Sequence, residues 1–184
     1  MNCIVTGGAG FIGSHLCDAL QQAGVKKLVI LDNFFLGKRE NIAQALEKGA
    51  LLVRDDAELN GVAEYVIRDN EIDVVFNCAT RALNYSFINP RHAFMTNVNV
   101  IERLLECQRQ GLFTTLCHFS SSEVYGTAVY EPMDENHPTF PTTAYAAGKA
   151  AADMMLESYV KQVKLDAFIV RPFNNYGPRQ NWRG

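Results

Sequence analysis

The stretch that most constrains this chain is its first turn, Ile4-Val5-Thr6-Gly7-Gly8-Ala9-Gly10-Phe11-Ile12-Gly13. An apolar run feeds a glycine turn and then opens into an amphipathic run, so a buried strand must pass into a helix within a few residues. Gly7 lets the strand turn sharply, Gly10 leaves room for a pyrophosphate to touch the backbone, and Gly13 lets the helix pack closely on the strand. The unpaired N–H groups at the helix start, where Phe11 and Ile12 lie, then face the phosphates, and the helix dipole favours their charge.

A second strand, expected over 27–31, ends in Asp32. An acid there grips the adenosine ribose hydroxyls and repels a 2′-phosphate, which favours NAD over NADP. Lys38 and Arg39 pull the other way, since a basic residue accepts that phosphate, but they read as part of a solvated loop.

Strand and helix patterns then alternate along the chain. The spacing predicts helices over 11–23, 39–47, 59–68 and 93–110, and a last one capped by Thr142 or Thr143 that runs to 163. Strands are expected over 50–53, 73–77, 114–119 and 165–171, and the proline-bearing stretch 131–141 reads as a loop. Six strands with intervening helices imply an α/β chain, a Rossmann-type doubly wound parallel sheet in the order 3-2-1-4-5-6. Its ligand belongs at the carboxyl ends of the strands, near the switch between strands one and four.

A length of 184 residues fits one domain, or one domain and a fragment of another. The net charge of -3 gives no electrostatic case for nucleic acid or an anionic membrane. No apolar run approaches the ~20 residues of a membrane span, and no charged segment precedes the first strand as in a signal peptide. Five cysteines, an odd number with no C-x-x-C pair, read as reduced core thiols of a cytoplasmic protein. The four histidines show no metal-ligand spacing, and no metal is expected.

Two further constellations carry chemistry. Tyr145 and Lys149 stand four apart on one helix face, where an ammonium favours the phenolate and the pair can move a proton. The run His118-Phe119-Ser120-Ser121-Ser122-Glu123-Val124-Tyr125-Gly126 closes strand five, at the sheet edge where a fold of this type places its chemistry. Alone, the first reads better as a solvated pair and the second could simply be turn formers; both gain weight from the nucleotide fingerprint upstream.

Together with Leu31-Asp32-Asn33 and Arg171-Pro172-Phe173-Asn174-Asn175-Tyr176-Gly177-Pro178-Arg179, these motifs resemble the extended short-chain dehydrogenase/reductases, in particular the NAD-dependent nucleotide-sugar epimerase/dehydratase family. The resemblance implies that Tyr145 takes the proton from the sugar 4-hydroxyl while hydride leaves that carbon for the nicotinamide. Lys149 would hold the nicotinamide ribose and depress the tyrosine pKa, and Ser121 would hydrogen-bond the reacting oxygen. It implies further that Asp32, with Asn33 beside it, binds the adenosine ribose and that Asp55 contacts adenine, although Arg54 stands where the family has glycine. Cys78-Ala79-Thr80 would pass under the cofactor, with Ala79 against it; Arg81 would approach its ribose or phosphates. Asn174 would contact the diphosphate of a nucleotide sugar.

Two positions depart from the family pattern. Gly148 stands where serine usually precedes the lysine, and little effect is expected of it. Ser122-Glu123 replaces the Asp-Glu pair of dTDP-glucose 4,6-dehydratases. Glu123 thus keeps elimination open beside 4-epimerisation, the outcome favoured; a 4,6-dehydratase, a UDP-glucuronate decarboxylase and a non-catalytic dinucleotide-binding protein are the alternatives. By the same resemblance, residues 1–173 would form the NAD-binding domain and 174–184 the start of a nucleotide-sugar domain that is largely missing. The expected state is a homodimer built on the helices around 93–110 and 144–163, with the bare 184-residue piece weakly active at best.

Overall fold

Strands that are apolar along their whole length need cover on both faces, and the chain supplies helices for each side. The computed structural model describes residues 1–181. Its elements are β1 (Asn2–Thr6), α1 (Phe11–Gln22), β2 (Lys27–Leu31), a 3-10 turn (Arg39–Ile42), α2 (Ala43–Glu47), β3 (Leu51–Val53) and α3 (Val62–Asn70). There follow β4 (Val74–Asn77), α4 (Leu83–Ser86), α5 (Pro90–Arg109), β5 (Thr115–Phe119), a 3-10 turn (Ser122–Tyr125), α6 (Ala144–Val163) and β6 (Asp166–Val170). All six strands form one parallel sheet in the order β3-β2-β1-β4-β5-β6, the order expected from the sequence.

Alternate residues of β1 serve opposite layers, as a pleated strand requires. Ile4 joins the core formed with Val66 of α3, Leu104 of α5 and Leu156 of α6. Cys3 and Val5 join the other, with Cys17 and Leu20 of α1 and Ala45 of α2. The parallel register sets Thr6 beside Leu31 on one side and Asn77 on the other, so three strands end level and their outgoing loops share one rim.

Several boundaries differ from the sequence expectation for local reasons. Helix α3 starts at Val62, not at 59, because Gly61 before it is left-handed (φ 80). Helix α5 starts at Pro90, three residues earlier than the apolar spacing suggests. Proline fits the first helical position, and the Asn89 side chain caps the end by accepting from the His92 N–H. The 39–47 stretch divides into a 3-10 turn and a short helix. Thr143, not Thr142, caps α6, accepting from the Ala146 N–H.

Gly148 has more to do than its position inside a helix suggests. A Cβ there would lie 2.9 Å from the Phe94 carbonyl oxygen and 3.0 Å from its Cα. The glycine therefore permits the close crossing of α6 over α5, and the expectation that its identity matters little is corrected.

Candidate active site

A cavity of about 410 Å³ opens at the carboxyl rim of the sheet. It runs from the glycine turn and Asp32, past the loops after β3 and β4, to Ser121, Glu123, Tyr145 and Lys149. The motifs read separately from the sequence thus line one space, at the predicted switch between β1 and β4.

The glycine turn is built by close approach. Gly7 is left-handed (φ 67), and a Cβ on it would meet the Cys78 and Ala79 backbone at 2.8 Å. A Cβ on Gly13 would come 2.3 Å from the Gly7 carbonyl oxygen. Gly10 precedes α1 with no side-chain cap, and the first in-helix bond runs from Ser14 N–H to Gly10. The N–H groups of Phe11, Ile12 and Gly13 come before that bond and border the cavity. A backbone cradle of this kind, free of side chains and carrying helix-start N–H groups, fits a dinucleotide pyrophosphate.

Asp32 is buried at the end of β2. Its Oδ2 accepts from the Ala9 N–H at 2.8 Å and its Oδ1 from the Phe34 N–H at 2.7 Å. Burial pushes its carboxyl up, partly offset by those two N–H bonds. Asp32 therefore also braces the glycine turn while it borders the cavity. Asn33 divides its amide between Asp56 and the Phe35 N–H.

The loops after β3 and β4 meet in a charged network. Arg81 is 6% exposed; its Nη2 lies 3.1 Å from both Asp56 Oδ2 and Glu58 Oε1, and its guanidinium sits 4.4 Å over the Phe35 ring. Glu58 also takes His92 at 2.9 Å and the Thr96 hydroxyl. Burial pushes the Glu58 carboxyl up, but its bonds to His92, Thr96 and Arg81 outweigh that and hold it below the ordinary range. Arg81 lines the cavity, yet the network already holds its charge. Asp55 borders the cavity and is exposed, its Oδ1 accepting from the Asp56 N–H. It is Asp56, one residue on, that ties these loops together; charge at that spacing gave no sequence signal of its own.

At the other end, Ser121 starts the 3-10 turn after β5, its hydroxyl accepting from the Glu123 N–H. Tyr145, on the first turn of α6, faces Ser121, Thr80 and Glu123. Burial pushes its phenol above the ordinary value, hydrogen bonding to Ser121 and Thr80 pulls it back, and the Glu123 carboxylate adds to the rise. Lys149 is fully enclosed and donates to the Phe119 carbonyl at 2.7 Å. Burial lowers its ammonium to about 8. Desolvation thus shifts the Tyr145 phenol upward and the Lys149 ammonium downward.

Beneath the site lies a polar chain with no sequence signature. Thr6 donates to Asn77 Oδ1 at 2.7 Å, so the Asn77 amide nitrogen meets His118 Nδ1 at 3.0 Å. Asp153 of α6 accepts from Ser120 and from Arg171 Nε, each at 2.9 Å. The 3-10 turn is held from outside by Arg171, whose Nη1 donates to the Tyr125 hydroxyl. Only helical periodicity, which sets Asp153 two turns past Tyr145, could have flagged part of this.

Residues 172–181 run back over the cavity. Asn174 lines it, as do Pro172, Phe173 and Asn175. Arg179 then pairs with Asp18 of α1 at 2.7 Å, and His15 meets the Pro178 carbonyl at 3.0 Å. Residues 182–184, which the sequence reading assigns with 174–181, lie outside the described residues.

Known proteins resemble this chain in sequence and fold. The family model for GDP-mannose 4,6 dehydratase matches residues 4–183. A UDP-glucose 4-epimerase of Mycolicibacterium smegmatis is 35% identical over 190 residues, covering 100% of this chain and 59% of the relative. UDP-glucuronic acid decarboxylase 6 of Arabidopsis thaliana is 33% identical, covering 98% of this chain and 52% of its own length. The structure of Thermus thermophilus UDP-glucose 4-epimerase in complex with NAD superposes with a TM-score of 0.89 at 34% identity, over 98% of this chain and 58% of that one. The chain spans about half the length of the curated relatives it matches.

Proposed function

The chain belongs to the GDP-mannose 4,6-dehydratase family, within the extended short-chain dehydrogenase/reductases, and on that premise we propose that it is the cofactor-binding part of an NAD-dependent enzyme that oxidises the 4-hydroxyl of a nucleotide-diphosphate sugar. The carrying observation is that the glycine cradle and the Tyr145, Ser121 and Lys149 set occupy opposite ends of one cavity. NAD bound there would supply the hydride acceptor. The Gly7–Gly13 cradle would take its pyrophosphate, and Asp32 with Asp55 and Asp56 would line the adenosine end with acid, which suits a ribose bearing free hydroxyls.

The chain's own residues would handle the proton. Tyr145 accepts it from the sugar hydroxyl, and Ser121, held by the 3-10 turn, fixes the sugar oxygen. Ser121 and Thr80 supply the hydrogen bonds that lower the phenol's resistance to ionising. Lys149 keeps most of its charge at neutral pH even with its value near 8 and holds the ribose. Four-epimerisation is the outcome we favour. The placement of Glu123 on the cavity wall beside Tyr145 favours elimination as the second reading, by a 4,6-dehydratase or a UDP-glucuronate decarboxylase.

Residues from 174 onward would begin the nucleotide-sugar-binding part, with Asn174 toward the diphosphate. We further propose a homodimer through α5 and α6, which carry Met95 and Met154 at the surface. A cytoplasmic location is proposed as well, in keeping with five unpaired thiols. Among the described residues no helix is long and apolar enough to cross a membrane, and no cluster of ligands could hold a metal.

The test is the Tyr145→Phe substitution in the longest protein that carries this sequence, assayed against UDP-, dTDP-, GDP- and CDP-sugars with products followed by NMR. Loss of hydride transfer with NAD still bound supports the reading. Unchanged turnover rejects it, and a wild type that binds NAD but turns over no sugar supports the non-catalytic alternative.

A further inference from the structure

Helix α6 meets the end of β5 through side chains one turn apart. Tyr145 faces Ser121; one turn on, Lys149 donates to the Phe119 carbonyl; a further turn on, the Asp153 carboxylate accepts from the Ser120 hydroxyl. Three side chains at helical spacing thus hold three consecutive residues of one strand end. Asp153 is buried as deeply as Lys149, each 2% exposed, and it is the carboxylate on the same face one turn below that ammonium.

We propose that Asp153 is a positioning residue that keeps Lys149 charged and fixes the register between α6 and the β5 terminus. Its Oδ2 is anchored by Ser120 and Arg171, while its Oδ1 has no hydrogen-bond partner among the described residues. His118 Nε2 lies 3.8 Å from that oxygen and likewise has no partner among them. Asn77 donates its amide hydrogen to His118 Nδ1, since its own oxygen accepts from Thr6; this places the imidazole proton on Nε2, pointing at Asp153. Burial holds His118 well below its ordinary value and therefore neutral, so it adds no competing positive charge.

The groups around Lys149 show why the carboxylate matters. From β5 it meets the Phe119 carbonyl and neutral His118, and from the turn after β4 the Cys78 thiol, which burial pushes up and keeps protonated. From its own helix come Tyr145 and Asp153; Arg171 of the segment after β6 reaches Asp153 from the far side, and Glu123 acts on Tyr145. Burial works against the ammonium, and Asp153 is the foremost group favouring it. Two cations, Lys149 and Arg171, thus share one buried anion.

The inference rests on the proposed role of Lys149, but its test needs neither cofactor nor sugar. The full chain is labelled with 13Cε-lysine, and the Lys149 resonance is identified by its loss in Lys149→Met. Its titration midpoint is then followed by NMR. Asp153→Asn should lower that midpoint by about one unit or more, and Asp153→Glu should restore most of the shift. Restoration by Asp153→Glu separates a charge effect from loosened packing. If Asp153→Asn fails to fold, Asp153→Ser takes its place. An unchanged midpoint in the folded variant that lacks the carboxylate, or a midpoint in Asp153→Glu no higher than in that variant, overturns the proposal. The same variants, tested for NAD binding, separate a failure here from a failure of the cofactor reading, since the titration stands without it.

Discussion

At the Tyr145 end of the cavity the working side chains stand on the ends of long regular elements, whereas at the Asp32 end they hang from three loops. The first end is enclosed and its charges are under-neutralised: Lys149 falls to about 8 and the Tyr145 phenol is pushed up. The second is saturated with partners. Arg81 meets two carboxylates and a ring, and Glu58 is held below its usual range. Burial without enough partners tunes protonation, while burial with matched partners fixes shape. One end is thus suited to moving a proton and the other to holding a ligand still.

Substitutions can break that contrast. Tyr145→Phe should cost turnover by roughly 100-fold or more and leave NAD affinity within a few-fold, as measured by steady-state kinetics beside calorimetric titration. Gly13→Ala, which forces a Cβ to 2.3 Å from a backbone oxygen, should destabilise the fold by about 1–3 kcal/mol and weaken NAD binding; urea unfolding and the same calorimetry check it. Glu58→Gln should cost about 1–3 kcal/mol by leaving Arg81 and His92 short of an anion, with the loss seen in NAD binding before turnover per bound cofactor.

The Lys149 end predicts its own pH dependence. The folded value near 8 lies below that of an unfolded lysine, so the unfolded chain binds the proton more tightly. Lys149 therefore weakens the native state below about pH 8, and the penalty is relieved as pH rises from there toward the unfolded value. Wild type should gain stability relative to Lys149→Met between pH 8 and 10 in urea titrations; parallel curves would contradict the burial argument. The smallest effect belongs to the exposed Arg68–Glu64 pair on α3. Arg68→Ala should change stability by less than about 0.5 kcal/mol and leave both ends untouched.

The same contrast governs what could be read in advance. The strand order, Tyr145 with Lys149, and the glycine turn follow from local pattern and spacing; the sheet has that order, and the turn and the pair line the cavity. The Arg81 network joins residues from four separate stretches, and no spacing links Glu58 to His92 or Thr96. Asn77, His118 and Asp153 form their chain only once β1, β4, β5 and α6 are side by side. The four-residue α4 leaves no mark in the sequence because a single turn carries no periodic signal. Gly148 was visible as a departure, but its reason is the Phe94 backbone of another helix.

The strap that crosses the cavity has a consequence for the order of events during synthesis. His15 and the Pro178 carbonyl it meets are 163 residues apart, and Asp18 waits for Arg179 over a similar span. While β1, α1 and β2 are leaving the ribosome, the glycine cradle is an open trough. The roof is synthesised long after the cradle, so a dinucleotide held in the trough would be enclosed by the arriving segment rather than threaded beneath it.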